Sequence, residues 1–290
     1  MVHSPPLIAD ERTILITGCS SGIGFETARV LRGRNWRVFV TARNPEDVER
    51  LLDLGFEAFR LDYEEPETIE TALAAVLERT GGRLTALYNN GAYAIPGAIE
   101  DLPVDALKAV FQANFFGWHE LTQRVIPIMR EQKYGRIVQC SSILGFIAMK
   151  YRGAYTASKF ALEAYSDTLR QELKGTGIMV SLVEPGPIDT RFTENALSNF
   201  DKWITSDIVE NSPHRETYKK RRIRMEGGEP GAFKLKPLSV AKRVIHAVEA
   251  SRPKPRYYVT VPTYMLGFGK RLMSTRLLDR ILVRAADSEE

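Results

Sequence analysis

Cysteine is scarce in this 290-residue chain: Cys19 and Cys140 are the whole supply, and they form no close pair. Their spacing excludes a disulfide framework and a thiolate metal site. Histidine is equally sparse, with His3, His119, His214 and His246 too scattered to suggest zinc, so metal catalysis has no support. Nowhere does an apolar run approach the roughly 20 residues of a membrane-spanning helix. The opening "MVHSPPLIADERTILITG" lacks the basic segment followed by an apolar one that marks a signal peptide. A cytoplasmic protein is expected. Charge of one sign is lacking too, since the net is only +4. An isoelectric point near 9.0 suits phosphate-bearing ligands, nucleic acid or acidic lipid without choosing among them. The basic run "YKKRRIR" at Tyr218 reads as a solvated helical face, and no nucleic-acid reader motif accompanies it.

What is present is a regular alternation. Six short β-branched or apolar runs, "TILIT", "RVFVT", "EAFRL", "LTALYN", "RIVQC" and "MVSLVE", are separated by helix-like segments. These segments span about 22–34, 45–54, 66–80, 104–132 and 153–174. Strands alternating with helices imply an α/β, doubly wound Rossmann-type fold, a parallel sheet with helices on both faces. Pro127 removes a backbone donor from the fourth helix and is expected to kink or split it. With no repeat or low-complexity linker, residues 1–290 read as one domain. The strand rhythm lapses over 187–237, an insertion placed where a substrate lid would sit. A helix at 239–251, a strand "RYYVTV" and an amphipathic segment at 264–284 follow.

Between the first strand and first helix lies "TGCSSGIG", with Gly18, Gly22 and Gly24 spaced G-x-x-x-G-x-G. Glycines there permit a tight turn and bring a pyrophosphate close to the free N–H groups of a helix N-terminus. At the end of the second strand, where a carboxylate would hold the ribose hydroxyls of NAD, stand Ala42 and Arg43. A guanidinium there binds a 2′-phosphate in a fork, which favours NADP(H) over NAD(H). Asp62, just past the third strand, either accepts from an adenine amino group or caps a helix. Asn89 and Asn90 in "YNNGAY" suit a tight turn after the fourth strand.

Tyr155 precedes Lys159 by four residues, so both side chains lie on one helical face, with their backbones about 6 Å apart along the axis. Chance alone would give about half of one Tyr-x-x-x-Lys match at this composition. By spacing alone the pair is either chemistry or two side chains on a wet helix face.

Taken together, "TGCSSGIG", "NNGA", the serines ending at Ser142, Tyr155 with Lys159, and "PGPIDT" (185–190) resemble the ordered motifs of the short-chain dehydrogenases/reductases. The likeness covers about Thr13 to Thr190 and points further, to the branch holding hydroxysteroid and retinol dehydrogenases and bacterial aldehyde reductases. The family's usual Asn-Asn-Ala-Gly appears here with its last two residues exchanged, which keeps the turn small. The resemblance implies a catalytic tetrad: Tyr155 as proton donor, Lys159 as its activator and ribose ligand, Ser142 orienting the carbonyl, and Asn114 supporting a water relay. It also implies cofactor contacts from Gly18, Ser20, Ser21, Gly22, Ile23, Gly24, Arg43, Asp62, Asn89, Pro185, Gly186, Ile188 and Thr190.

On this reading the tyrosine pKa must fall from near 10 by about three units, roughly 4 kcal/mol. One ammonium about 4 Å away supplies that much before desolvation is charged against it, and oxidised nicotinamide assists. Tyr93, Ile95, Leu144 and Phe192 are candidates for an apolar substrate pocket, with core packing the alternative for each. The basic amphipathic tail packs on the domain, joins a partner subunit in a homo-oligomer, or touches anionic lipid. The expected activity is NADP(H)-dependent reduction of apolar aldehydes or ketones. The alternatives are an NAD-linked steroid- or retinol-type alcohol dehydrogenase and a catalytically silent nucleotide sensor, whose mark would be loss of Tyr155, Lys159 or Ser142.

Overall fold

A computed structural model describes residues 12–227 and 233–287; His3 and most of the opening segment lie outside them. In chain order the elements are β1 (Thr13–Ile16), α1 (Gly22–Arg32), β2 (Arg37–Ala42), α2 (Pro45–Asp53), β3 (Glu57–Arg60), α3 (Pro66–Thr80), β4 (Ala86–Asn89), α4 (Val104–Phe111), α5 (Gly117–Gln132), β5 (Gly135–Cys140), α6 (Gly153–Glu172) and β6 (Ile178–Glu184). After these come α7 (Phe192–Trp203), α8 (Ser206–Asn211), α9 (Arg215–Gly227), α10 (Leu238–Glu249), β7 (Arg256–Tyr258), α11 (Val261–Gly269) and α12 (Thr275–Asp287).

The seven strands form one sheet in the order β3-β2-β1-β4-β5-β6-β7, every pair parallel. Parallel strands carry helices on both faces and are therefore apolar on both sides. Accordingly Ile14, Leu15 and Ile16 of β1 are all fully buried. Helix α1 packs beside α10, and α3 packs beside α5. Strand order reverses between β1 and β4, so their carboxyl ends open the crevice in which such folds bind ligands.

Two expectations about the helices need correcting. Pro127 does not split its helix: α5 runs through it unbroken. Both Pro127 and Gln123, whose carbonyl loses its partner, lie on the exposed face, where water takes over the missing bond. The interruption comes earlier, as a π-helical turn at Gln112–Phe116 in which the Gly117 N–H reaches back to the Gln112 carbonyl. The amphipathic tail, too, is two helices, α11 and α12, broken at 270–274.

The 187–237 segment is closed at its base by a bridge between Ile188 and Leu235, with Leu235 N–H on Pro187 O (3.1 Å) and Asp189 N–H on Leu235 O (2.8 Å). Its helices seat Phe200, Ile204 and Tyr218 in a second apolar cluster with Ile95, Ala106 and Val110. The basic run of α9 is only partly solvated, since Tyr218 and Arg221 are buried. Among the described residues no helix is long and apolar enough to cross a membrane.

Candidate active site

The crevice begins at the glycine turn. Gly18 has φ +66°, and a Cβ there would fall 2.4 Å from the Gly91 Cα. The Asn90 amide donates to the Thr17 and Gly18 carbonyls, both at 3.1 Å. Asn90 and Gly91 thus clamp the turn, which explains why the exchanged Gly91-Ala92 order is tolerated. Asn89, one residue earlier, is fully buried and donates to Thr122 Oγ1 and Gln139 Oε1 (both 3.0 Å) while Tyr63 Oη stands 2.9 Å from its Oδ1. Its amide supports the sheet edge from within, and the side chain that reaches the turn is that of Asn90.

The N-terminus of α1 is left without a side-chain cap at Ser21 and without an acidic residue in its first turn. Its free N–H groups and positive dipole end therefore face the crevice unneutralised. Ser20 and Ser21 are half-buried there, Gly24 is buried, and Ile23 packs on the core. Thr190 lies against Gly22, bringing "PGPIDT" over the turn. Pro185 accepts from Ile143 N–H at 2.8 Å, Gly186 is packed against Thr260 and Thr263, and Ile188 is half-buried on the core. Arg43 is exposed at the end of β2 and makes no ion pair among the described residues. Arg50 Nη2, from α2, donates to the Ser20 carbonyl at 2.5 Å, a contact the sequence did not announce. Asp62 neither caps α3, whose N-cap is Glu65, nor is fully exposed; one carboxylate oxygen accepts from Glu64 N–H at 3.0 Å.

Ser142 follows β5 and Tyr155 lies in the first turn of α6; both are buried, and the Ser142 side chain acts on the Tyr155 phenol to lower its pKa. Ser142 Oγ also accepts from Leu144 N–H (3.1 Å), so it caps a short turn as well as facing the tyrosine. Lys159 is fully buried, donates to the Cys140 carbonyl at 2.8 Å and lies 4.1 Å from the ring centre of Trp118. The wet-face alternative is therefore removed for both members of the pair. An ammonium has three donors, and Cys140 takes one.

The electrostatics run opposite to expectation for Tyr155. Burial, with the Cys140 thiol adding to it, pushes its phenol well above the ordinary tyrosine value, and Ser142 and Arg152 offset this only in part. Burial also pulls Lys159 down to about 8, opposed by Cys140 and Glu163. The Lys159 ammonium stands 5.6 Å from the Tyr155 ring centre, farther than the about 4 Å at which one ammonium offsets such a shift.

Asn114 sits in the π-helical turn, fully buried, where it accepts from Tyr93 N–H (3.0 Å) and donates to Tyr93 O (2.8 Å) and Ser158 Oγ (3.2 Å). Its side chain holds the Tyr93 loop against α6. The Tyr93 hydroxyl donates to Glu64 Oε1 at 3.2 Å, and its backbone is held by Asn114. Ile95 is buried in the second cluster. Leu144 and Phe192 do meet the site, the latter with its ring 5.3 Å from that of Tyr155.

Two supporting features carried no sequence signal. Tyr151 holds φ +61°, an outlier for so bulky a residue, pinned by Gly97 N–H on its carbonyl (2.9 Å) and by His214 Nδ1 at its hydroxyl (3.1 Å). Beneath Ser142, Glu163 and Glu184 share the Arg256 guanidinium; burial pushes both carboxyls up, Glu184 to about 8. Among the described residues no group of His, Cys, Asp and Glu is placed to hold a metal ion.

Comparison with known proteins agrees with this geometry. The short chain dehydrogenase family pattern matches residues 12–200. The uncharacterized oxidoreductase YbbO of Escherichia coli strain K12 is 40% identical over 272 residues, 94% of this chain and 94% of that protein. Retinol dehydrogenase 8 of Homo sapiens is 35% identical, over 66% of this chain and 64% of its own length. Among solved structures, a variant of actinorhodin polyketide ketoreductase with NADPH superposes with a TM-score of 0.69 at 31% identity, covering 87% of this chain and 97% of that one. With the family pattern spanning the sheet from β1 through β6 and the crevice at its carboxyl edge, the chain belongs to the short-chain dehydrogenase family of oxidoreductases.

Proposed function

We propose that this protein is an NADP(H)-dependent reductase of apolar aldehydes or ketones, with Tyr155 as general acid. The observation that carries this reading is the buried constellation at the carboxyl end of β5 and the first turns of α6: Ser142, Tyr155 and Lys159 all buried, with the Lys159 ammonium 5.6 Å from the Tyr155 ring centre. A silent nucleotide sensor would have no need to bury an ammonium beside a phenol at a cost in desolvation.

The residues fit a nicotinamide dinucleotide. The uncapped, acid-free N-terminus of α1 would take the pyrophosphate, the unpaired Arg43 a 2′-phosphate, and the two remaining Lys159 donors the ribose hydroxyls. When bound, the cofactor supplies the hydride and thereby the redox chemistry. The chain's task is the proton and the geometry. Ser142 Oγ donates to the carbonyl oxygen, fixing it beside Tyr155 Oη. Tyr155, held protonated by burial, donates its proton to that oxygen as negative charge develops. Lys159 then stabilises the resulting phenolate, and Asn114 keeps the Tyr93 loop and α6 in register. Phe192 and Leu144 give the site an apolar wall, and the closed 187–237 segment, from which Phe192 comes, serves as a substrate lid.

The test is NADPH oxidation by the purified protein across aliphatic aldehydes, ketosteroids and retinal. Turnover is expected with apolar carbonyls, and Tyr155→Phe should lower it by about 10²–10⁴-fold with NADPH binding intact. Uniform inactivity of the folded wild type, or substantial activity in the phenylalanine variant, refutes the assignment.

A further inference from the structure

Helix α11 turns an apolar stripe outward. Val261, Met265, Phe268 and Leu272, spaced four, three and four apart, are 55%, 68%, 62% and 88% exposed. That periodicity places Val261, Met265 and Phe268 on one face of the helix, with the Tyr258 ring beside Phe268, and Leu272 lies in the turn that follows. Helix α12 repeats the arrangement: Leu278, Leu282 and Ala286 form its inner stripe, while Leu277 and Ile281 lie exposed beside it. Next around α12 comes a row of arginines, Arg276, Arg280 and Arg284, all exposed and without an ion pair among the described residues.

Charge selects the occupant. From 261 to 287 the chain carries five cations, Lys270, Arg271, Arg276, Arg280 and Arg284, against Asp279 and Asp287, and Asp287 is already paired with Lys150. A cleft of about 150 Å³ adjoins α11 through Tyr258 and Tyr264 and is lined also by Arg243, His246, Lys254 and Arg256. An isologous contact between two copies would set the arginine row against its own equivalent. An anionic bilayer surface accepts both apolar stripe and cations.

We infer that α11 and α12 form a docking face for anionic membrane surfaces, next to the substrate side of the site. The segment is tied to the loop between Ser142 and Tyr155 at its middle turn and its far end: Lys270 Nζ donates to Phe146 O at 2.6 Å, and Asp287 pairs with Lys150. Tyr258 bridges the same loop to the stripe, its ring 5.6 Å from Phe146 and 6.4 Å from Phe268. Docking does not depend on the reductase assignment and is tested without it.

The experiment is flotation of the full-length protein with phosphatidylcholine vesicles, with and without phosphatidylglycerol. Binding is expected only to the anionic vesicles, and it should weaken as salt is raised. Phe268→Glu, and separately Arg276→Glu with Arg280→Glu, should each lower the partition coefficient at least tenfold, about 1.4 kcal/mol. Circular dichroism and thermal melting check that these variants at exposed positions stay folded. Equal partition into both vesicle types, or none into either, overturns the inference. So does a wild-type oligomer that Phe268→Glu dissociates without any vesicle binding, which would make the face a contact between copies.

Discussion

Replacing Gly18 by alanine separates two costs that usually come together. At φ +66° a side chain pays about 1–2 kcal/mol for left-handed backbone. Its Cβ would also lie 2.4 Å from Gly91 Cα and 2.8 Å from Gly91 N, both backbone atoms that cannot rotate aside. Ordinary carbon contacts need about 3.5 Å or more, so the turn must part from the β4 loop by about 1 Å, an overpacking cost of about 1–3 kcal/mol. Gly82 supplies the control, with φ +79° and nothing within 4 Å of its Cβ position. Urea denaturation should therefore show Gly82→Ala losing about 1–2 kcal/mol and Gly18→Ala about 2–5 kcal/mol. Titration with NADPH should show the Gly82 variant unchanged and the Gly18 variant weakened at least tenfold, about 1.4 kcal/mol, because the displaced turn carries the α1 N-terminus with it. Equal stabilities and equal affinities for the two variants would refute the claim that Asn90 and Gly91 clamp the cofactor turn.

Arg43→Ala should weaken NADPH about tenfold to a hundredfold and leave NADH unchanged, as loss of a charge-assisted fork worth about 1.5–3 kcal/mol implies; equal loss for both would end the 2′-phosphate assignment. Lys159 is charged below its lowered pKa, so catalytic efficiency in the reductive direction should fall as pH rises through about 8; a profile flat to pH 10 argues against a role for the ammonium. Asn114→Ala leaves the buried Tyr93 N–H unsatisfied and should cost about 1–3 kcal/mol in urea denaturation, with a drop in kcat; a variant as stable as wild type contradicts the positioning role.

The strands were legible because each parallel strand buries both faces and so reads as a short apolar run, as "TILIT" and "RIVQC" do. For Tyr155 and Lys159 the spacing left two readings open, and it is their burial in the fold that removes the wet-face one. What escaped depends on three-dimensional surroundings. No periodicity reveals that Trp118 lies under the Lys159 ammonium, or that Asn114 spends its amide on Tyr93. The sign of the Tyr155 shift was missed for a related reason: spacing reports the distance to a cation, whereas burial, which outweighs it here, is a property of the whole fold. Pro127 shows the same limit, since a missing donor matters only where water cannot replace it.

The bridge between Ile188 and Leu235 has a consequence for how this scaffold can change. Because the two ends of the intervening segment are fastened to each other, added length within it costs little in loop closure, about 0.6 kcal/mol for each doubling. Helices α7 to α9 are held by the backbone bridge, by the apolar seat, and by polar contacts of Ser212 and Tyr218 with Asp101 and of His214 with Tyr151 and Glu100. Exchanging these helices, with Phe192 at their leading edge, would change the surroundings of Tyr155 while β5 and α6 stay in place.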